Sequence, residues 1–367
     1  MEPFKNRING TLIERLADET ARGWASFDRA GFVEGANRGL ESLELKGRVD
    51  HVTRVWRRHL PDDYREALAI VLRSLPPEFD SESGWGDVVF YSWLHSHFVQ
   101  VFGLDHPTES LEAMVEITKR GSCEFAVRPY LVRHTKLTRT FLKRHVKHPS
   151  PHVRRWISEG TRPRLPWGER LTSLVIDPSP NIPLLQALRR DSSEYVRTSV
   201  ANHVGDIAKD HPRLAVELVG KWQAEGFAQA EWIARRALRH LVKQGDAGAL
   251  GALGFAQGTS ARISGLAVDR KSVSIGQEQV IRFTLNGEKR ERLSIDYAVD
   301  YRNAKGGVNR KVFKLSVKSI AEREVLHFEK KHRFKPVSIR RLFPGEHAVT
   351  ILINGLELGT ARFTLTS

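Results

Sequence analysis

The chain has 367 residues, 40% apolar and 28% charged, too many for one ordinary core and typical of a soluble globular protein, so two domains are expected. It has no run of eighteen apolar residues, and "MEPFKNRING" lacks the apolar stretch of a signal peptide, so neither a membrane span nor export is indicated and the cytoplasm is the expected compartment. A net charge of +15 asks for an anionic partner, because Lys and Arg that neutralise phosphates release counterions, and the single cysteine, Cys123, excludes an internal disulfide and a thiolate zinc site.

From residue 10 to about 250 the apolar spacing is helical. The segments "GRVDHVTRVWRRHL" (47–60), "DYREALAIVLRSL" (63–75) and "SLEAMVEITKRG" (110–121) carry large apolar residues three and four apart. The breakers in "LPDD", "HPTES", "HPSPH", "DPSPN" and "DHPR" each place a proline beside a capping residue, as short connections between helices require.

A weak repeat runs through the second half of this region, visible in "CEFAVRPYL" (123–131), "SPHVRRWI" (150–157) and "SEYVRTSV" (193–200). Spacings of 26 and 43 residues fit degenerate HEAT-like helix pairs stacked into a curved solenoid. Its recurring arginines, Arg128, Arg154 and Arg197, would then line one face. Arg155 stands beside the second, and Arg235 and Arg239 in "EWIARRALRH" continue the series. A basic concave surface for the anionic partner is the expectation.

Glycine and small residues thicken over "QGDAGALGALGFAQGTSAR" (244–262), and beyond it the period alternates, as in "KSVSIGQEQVIRFTL" (271–285), "LSIDYAVDY" (293–301), "RKVFKLSVKSI" (310–320), "HAVTILING" (347–355) and "TARFTL" (360–365). About seven short strands suggest a β-sandwich similar to an immunoglobulin-type domain, without that fold's cysteine pair. The expected architecture is thus an all-α HEAT-like solenoid, residues 1–258, followed by an all-β immunoglobulin-like sandwich, residues 259–367. From Ser260 onward 21 Lys and Arg face 11 Asp and Glu, so this smaller part holds about two-thirds of the net charge. The charge gathers in "NGEKRER" (286–292), "NAKGGVNRK" (303–311) and "EKKHRFK" (329–335), read as loops, with Lys305, Arg310 and Lys311 as candidate contacts to the anionic partner. Lys on edge strands also serves to discourage pairing with other chains.

Five stretches, "EPFKNRIN", "LESLELKGRVDHV" (40–52), "CEFAVRPYL", "PRLPWG" (163–168) and "SSEYVRTSVANHVGDIAKDHP" (192–212), together resemble the AlkC branch of the HEAT-like-repeat alkylbase DNA glycosylases, some of which carry an immunoglobulin-like C-terminal domain. The resemblance covers nearly the whole chain. It implies hydrolysis of the N-glycosidic bond of 3-methyladenine and 3-methylcytosine in duplex DNA, with neither metal nor cofactor and without flipping the base into a closed pocket, by a monomer with no membrane partner.

Cleavage leaves an oxocarbenium-like sugar, which a fixed carboxylate stabilises while orienting water. Glu124 suits this role: the slot three before the Val-Arg pair holds Ser150 and Ser193 in the parallel repeats and a glutamate here. The bland alternative is complementation of a helix dipole. Pro129 either disturbs this helix or marks a later start. The resemblance places a second carboxylate at Asp206, where the plainer reading is a chain turn at Gly205. Glu159 is a third candidate that also suits a surface pair with Arg155 or Arg162. Trp167, between Pro166 and Gly168, offers an indole face to a cationic base, whereas Trp156 and Trp232 read as core. His145, His148 and His152 are separated by Pro149 and Pro151 and do not read as a metal site. The competing function is a non-catalytic HEAT-repeat DNA-binding or scaffold protein in which the acids are caps and the arginines only bind phosphate.

Overall fold

Local chemistry sets the helix starts. Asn9 and Asp63 accept hydrogen bonds from the amides of Leu12 and Glu66, each at 3.0 Å, and Pro107, Pro151 and Pro212 occupy first turns, where a missing N–H costs nothing. The computed structural model describes residues 3–79, 82, 88–336 and 341–367. Among these, sixteen α-helices precede eight strands. The chain divides into two compact units, Met1–Asp210 and His211–Ser367.

In the first unit, stacked helices bury apolar side chains between them. Trp56 is fully buried, donates from Nε1 to Thr20 Oγ1 at 3.1 Å and meets His95 edge-on. Helix Pro151–Gly160 packs on helix Glu194–Asp210, and Val153, Trp156 and Ile157 of the first and Val196 and Val200 of the second are all at 0% exposure. Trp156 is core, as its apolar neighbours suggest. The repeat motif thus places its equivalent valines, Val127, Val153 and Val196, in the interior.

The second unit holds four helices, Pro212–Ala224, Ala230–Ala237, Arg239–Lys243 and Ala247–Ala252, and strands β1 (Arg262–Val268), β2 (Ser272–Ser274), β3 (Glu278–Asn286), β4 (Glu291–Arg302), β5 (Val308–Ile320), β6 (Val325–Arg333), β7 (Gly345–Ile353) and β8 (Leu356–Thr366). They form a three-stranded sheet, β1-β3-β6, and a five-stranded sheet, β2-β8-β7-β4-β5, with Ile281, Leu285, Val299, Ile351 and Leu365 buried in a common core. Helix gives way to strand between Ala252 and Arg262, yet the units part at Asp210, so these four helices group with the sandwich. The contact is close: a Cβ on Gly355 would lie 2.3 Å from Gly245 Cα, and Arg292 donates to Leu253 O at 2.8 Å while stacking over Phe255. Trp232, read as core, is only half-buried, with Arg236 5.6 Å from its ring.

Two elements depart from the sequence reading. Residues 329–333 of "EKKHRFK" belong to β6, paired with β3, rather than to a loop. Their inward position is filled by His332, whose ring nitrogens meet the Tyr297 and Tyr301 hydroxyls at 3.1 and 2.8 Å, so the alternation is carried by a polar residue. Strand β1 escapes notice because a register shift between Ser264 and Ala267, with Gly265 at φ 62°, interrupts its period.

Candidate active site

The loop after helix Pro151–Gly160 is fixed by a tight turn and by two cations. Gly168 N donates to Leu165 O at 3.1 Å, closing a turn with Pro166 at its second position and Trp167 at its third. Trp167 has φ 65°, a left-handed conformation that such turns normally give to glycine, and its side chain is 60% exposed. An indole is therefore held outward against its own backbone preference. Two cations secure the loop: Lys46 Nζ donates to Trp167 O, and Arg128 donates to Gly160 O and Arg162 O at 2.9 Å and to Glu169 O at 2.8 Å.

Glu124 lies in the turn before helix Val127–Arg133, which begins late enough that Pro129 sits in its first turn. Gly160 makes room for this segment, since a Cβ there would meet Val127 Cγ1 at 2.6 Å and Glu124 Cα at 3.6 Å. Ser122 Oγ donates to Glu124 Oε2 at 2.8 Å, and Arg155 Nη1 donates to the same oxygen. An alternating chain of charge continues inward. Arg155 Nη2 is 3.5 Å from Glu159 Oε1, which accepts from Arg162 Nη1 at 2.6 Å, and Arg162 Nε donates to Asp206 Oδ2 at 2.7 Å. Lys209 closes the series on Asp206 Oδ1 at 2.9 Å, and Ser199 Oγ donates to Glu159 Oε2 at 2.6 Å.

The electrostatics follow from this order. Burial opposes the Glu159 charge, but Arg155, Arg162 and the Ser199 hydroxyl outweigh it and hold the carboxyl below its ordinary range. Burial likewise works against Arg155 and Arg162, and their acidic neighbours more than compensate, so both guanidinium groups are held above their ordinary range. Arg128 has only carbonyls as direct partners; burial, then the neighbouring Arg162, bring it down to about 10.

Glu124 and Arg155 open onto a cleft of about 290 Å³ walled by Phe4, Phe90, Trp93, Phe125 and Trp167. Phe4 meets Phe90 and Trp167 at centroid distances of 6.1 and 6.4 Å, and Trp93 meets Phe125 at 5.6 Å. A carboxylate thus stands at the rim of an aromatic cage.

Comparison with known proteins places this geometry. Residues 262–367 match the family model described as "Uncharacterised protein YhaZ, C-terminal Ig-like domain". The chain is 34% identical over 356 residues to the uncharacterized protein YhaZ of Bacillus subtilis (strain 168), covering 97% of each chain. It superposes on Pseudomonas fluorescens alkylpurine DNA glycosylase AlkC, bound to DNA containing an abasic site analog, with a TM-score of 0.91, 33% identity and full coverage of both chains. The chain belongs to the AlkC and YhaZ family. The helical-repeat part and the Ig-like part expected from the sequence are both present.

Within this AlkC-like fold the expected site residues separate by burial. Asp206 is 2% exposed inside a helix that runs unbroken through Gly205, so no chain turn exists there. Glu159 does pair with Arg155 and Arg162, but in the interior rather than on the surface. The recurring arginines spend hydrogens on the protein itself. Arg154 reaches back six and five residues to His148 O and Pro149 O, both at 2.7 Å, and Arg197 makes the same reach to Asp191 O and Ser192 O at 2.6 and 2.7 Å. Arg154 also grips Asp191 through two bonds of 2.6 and 2.9 Å, while Arg128 holds the Trp167 loop. Their hydrogens tie helices to preceding or neighbouring loops, which is why valine and arginine recur together.

In the second unit Arg235 and Arg239 are exposed, Lys305 and Lys311 are exposed on and beside the β4–β5 turn, and Arg310 is engaged by Asp300 at 2.7 Å and Glu357 at 2.5 Å. Sequence reasoning missed Phe4, Phe90 and Trp93 as cleft walls. The helix carrying the last two, Val88–Phe102, is apolar on nearly every side, which conceals any face turned to a cleft.

Proposed function

We propose that this protein is a monofunctional DNA glycosylase that removes cationic alkylated bases, 3-methyladenine and 3-methylcytosine, from duplex DNA. The observation that carries the reading is Glu124 at the rim of an aromatic cleft, its carboxylate shared between solvent and Arg155. The aromatic faces favour a charged base over its neutral parent. As the C1′–N bond breaks, its electron pair goes to the base, which leaves neutral. The positive charge passes to the sugar, and Glu124 stabilises it and orients the water that adds to C1′ and then loses a proton to solvent. In this reading a DNA phosphate competes for Arg155 and frees Glu124 to act, while Glu159, Arg162 and Asp206 fix Arg155 from behind. Trp167 contacts the lesion, and the base need not leave the stack for a closed pocket.

Residues 1–258 would supply the catalytic surface and residues 259–367 a second grip on DNA through Lys305 and Lys311, in a monomer that needs no cofactor. Release of labelled 3-methyladenine from methylated duplex, with parallel binding assays, tests the proposal. Binding without release would favour the scaffold reading. Charge reversal of Lys305 and Lys311 together should lower the salt-dependence slope of duplex binding by about two, as loss of two phosphate contacts requires; an unchanged slope removes the clamp.

A further inference from the structure

A second cleft, of about 190 Å³, lies against the same three aromatic side chains, Trp93, Phe125 and Trp167; its polar lining is His97 and Gln100 together with Lys46, Arg128 and Glu169, of which Lys46 and Arg128 are spent on carbonyls of the Trp167 loop. Trp93, His97 and Gln100 recur at intervals of four and three, so one face of helix Val88–Phe102 presents all three. His97 Nε2 is occupied by Asp50 at 3.0 Å. The half-buried Gln100 amide makes no hydrogen bond with any described residue, leaving both its donor and its acceptor unused beside aromatic walls.

A paired donor and acceptor matches one ligand edge well: the N6 and N7 positions of an adenine-type base, which a glutamine amide reads with two bonds. Methylation at N3 leaves that edge untouched. The cleft is smaller than the ~300–1,000 Å³ sites that take drug-sized ligands, which suits one heterocycle. We infer that this cleft holds the released adenine-type base after cleavage, with Gln100 reading its N6–N7 edge between Trp93 and Trp167. The ligand's origin as a reaction product rests on the glycosylase reading, whereas its recognition does not.

The test titrates free 3-methyladenine, adenine and 7-deazaadenine into the full-length protein, followed by tryptophan fluorescence and equilibrium dialysis. Adenine and 3-methyladenine should bind saturably, one per chain. The 7-deaza compound, lacking the N7 acceptor, should bind about tenfold more weakly, and Gln100→Leu should lose about tenfold for adenine and 3-methyladenine but not for the 7-deaza compound, collapsing the difference. Gln100→Glu, which keeps the shape and one acceptor, controls for misfolding and should also lose preference for the N6 donor–N7 acceptor edge. Absence of saturable binding, or equal binding of all three bases by parent and Gln100→Leu, overturns the inference. Base binding without release from methylated DNA would sink the glycosylase reading and leave the base site standing; release without base binding would do the reverse.

Discussion

Arg162 Nε lies 2.7 Å from Asp206 Oδ2, and both side chains are almost wholly buried. Asp206 is thereby joined to Glu124 through Arg162, Glu159 and Arg155. Asp206→Asn removes the charge that balances a buried guanidinium, and breaking such a pair costs roughly 3–5 kcal/mol. Urea denaturation should show a loss of that order together with slower base release. A variant as stable as the parent would mean that the charge chain does not hold the site together.

Trp167 stands where its turn prefers glycine. Trp167→Gly removes the left-handed strain and the indole at once, so stability should be kept or slightly raised while release of cationic bases falls about tenfold through lost cation–π attraction. Duplex affinity should change far less. Equal loss of release and affinity would make Trp167 a general DNA contact.

Arg128 uses its guanidinium on the carbonyls of Gly160, Arg162 and Glu169. Arg128→Lys, unable to reproduce that fork, should destabilise the fold by roughly 2–3 kcal/mol and disorder the Trp167 loop, yet leave the salt slope of DNA binding unchanged. A slope lower by about one would restore Arg128 as a phosphate ligand.

Stability should also depend on pH in one direction. His95 and His203 are fully buried; desolvation lowers both to about 4, while His95 meets Ser74 Oγ and Tyr91 O, and His203 meets Asn181 and Ser158 O. An unfolded chain protonates such groups near 6.5, so below that pH it binds more protons than the folded chain. The contribution is complete above about 6.5 and is lost as pH falls toward 4, by at most ~3 kcal/mol per histidine. Thermal melts should drop steadily between pH 7 and 5, and flat melting temperatures across that range would contradict neutral burial.

Fold was legible where chemistry is local. Pro107, Pro151 and Pro212 announce helix starts, and strands such as β3 and β8 alternate openly. Strand β6 was hidden because its inward histidine looks like part of a charged run. Glu124 was visible as a glutamate in a serine slot, and Trp167 as an indole in a proline–glycine loop. The burial of Asp206 and the inward use of Arg128, Arg154 and Arg197 depend on contacts 32 to 44 residues away or on carbonyl geometry, which periodicity does not encode. The same holds for the cleft walls, since Phe4, Phe90 and Trp167 meet only in the folded chain.

The central claim is that Glu124 does chemistry on a DNA-bound cationic base. Single-turnover release of 3-methyladenine from methylated duplex by Glu124→Gln, set beside duplex affinity, tests it most directly. The account predicts near-parental binding and release slowed by about 10²–10³-fold, the scale of losing one transition-state stabilising group. Release at the parental rate with the carboxylate gone would contradict it.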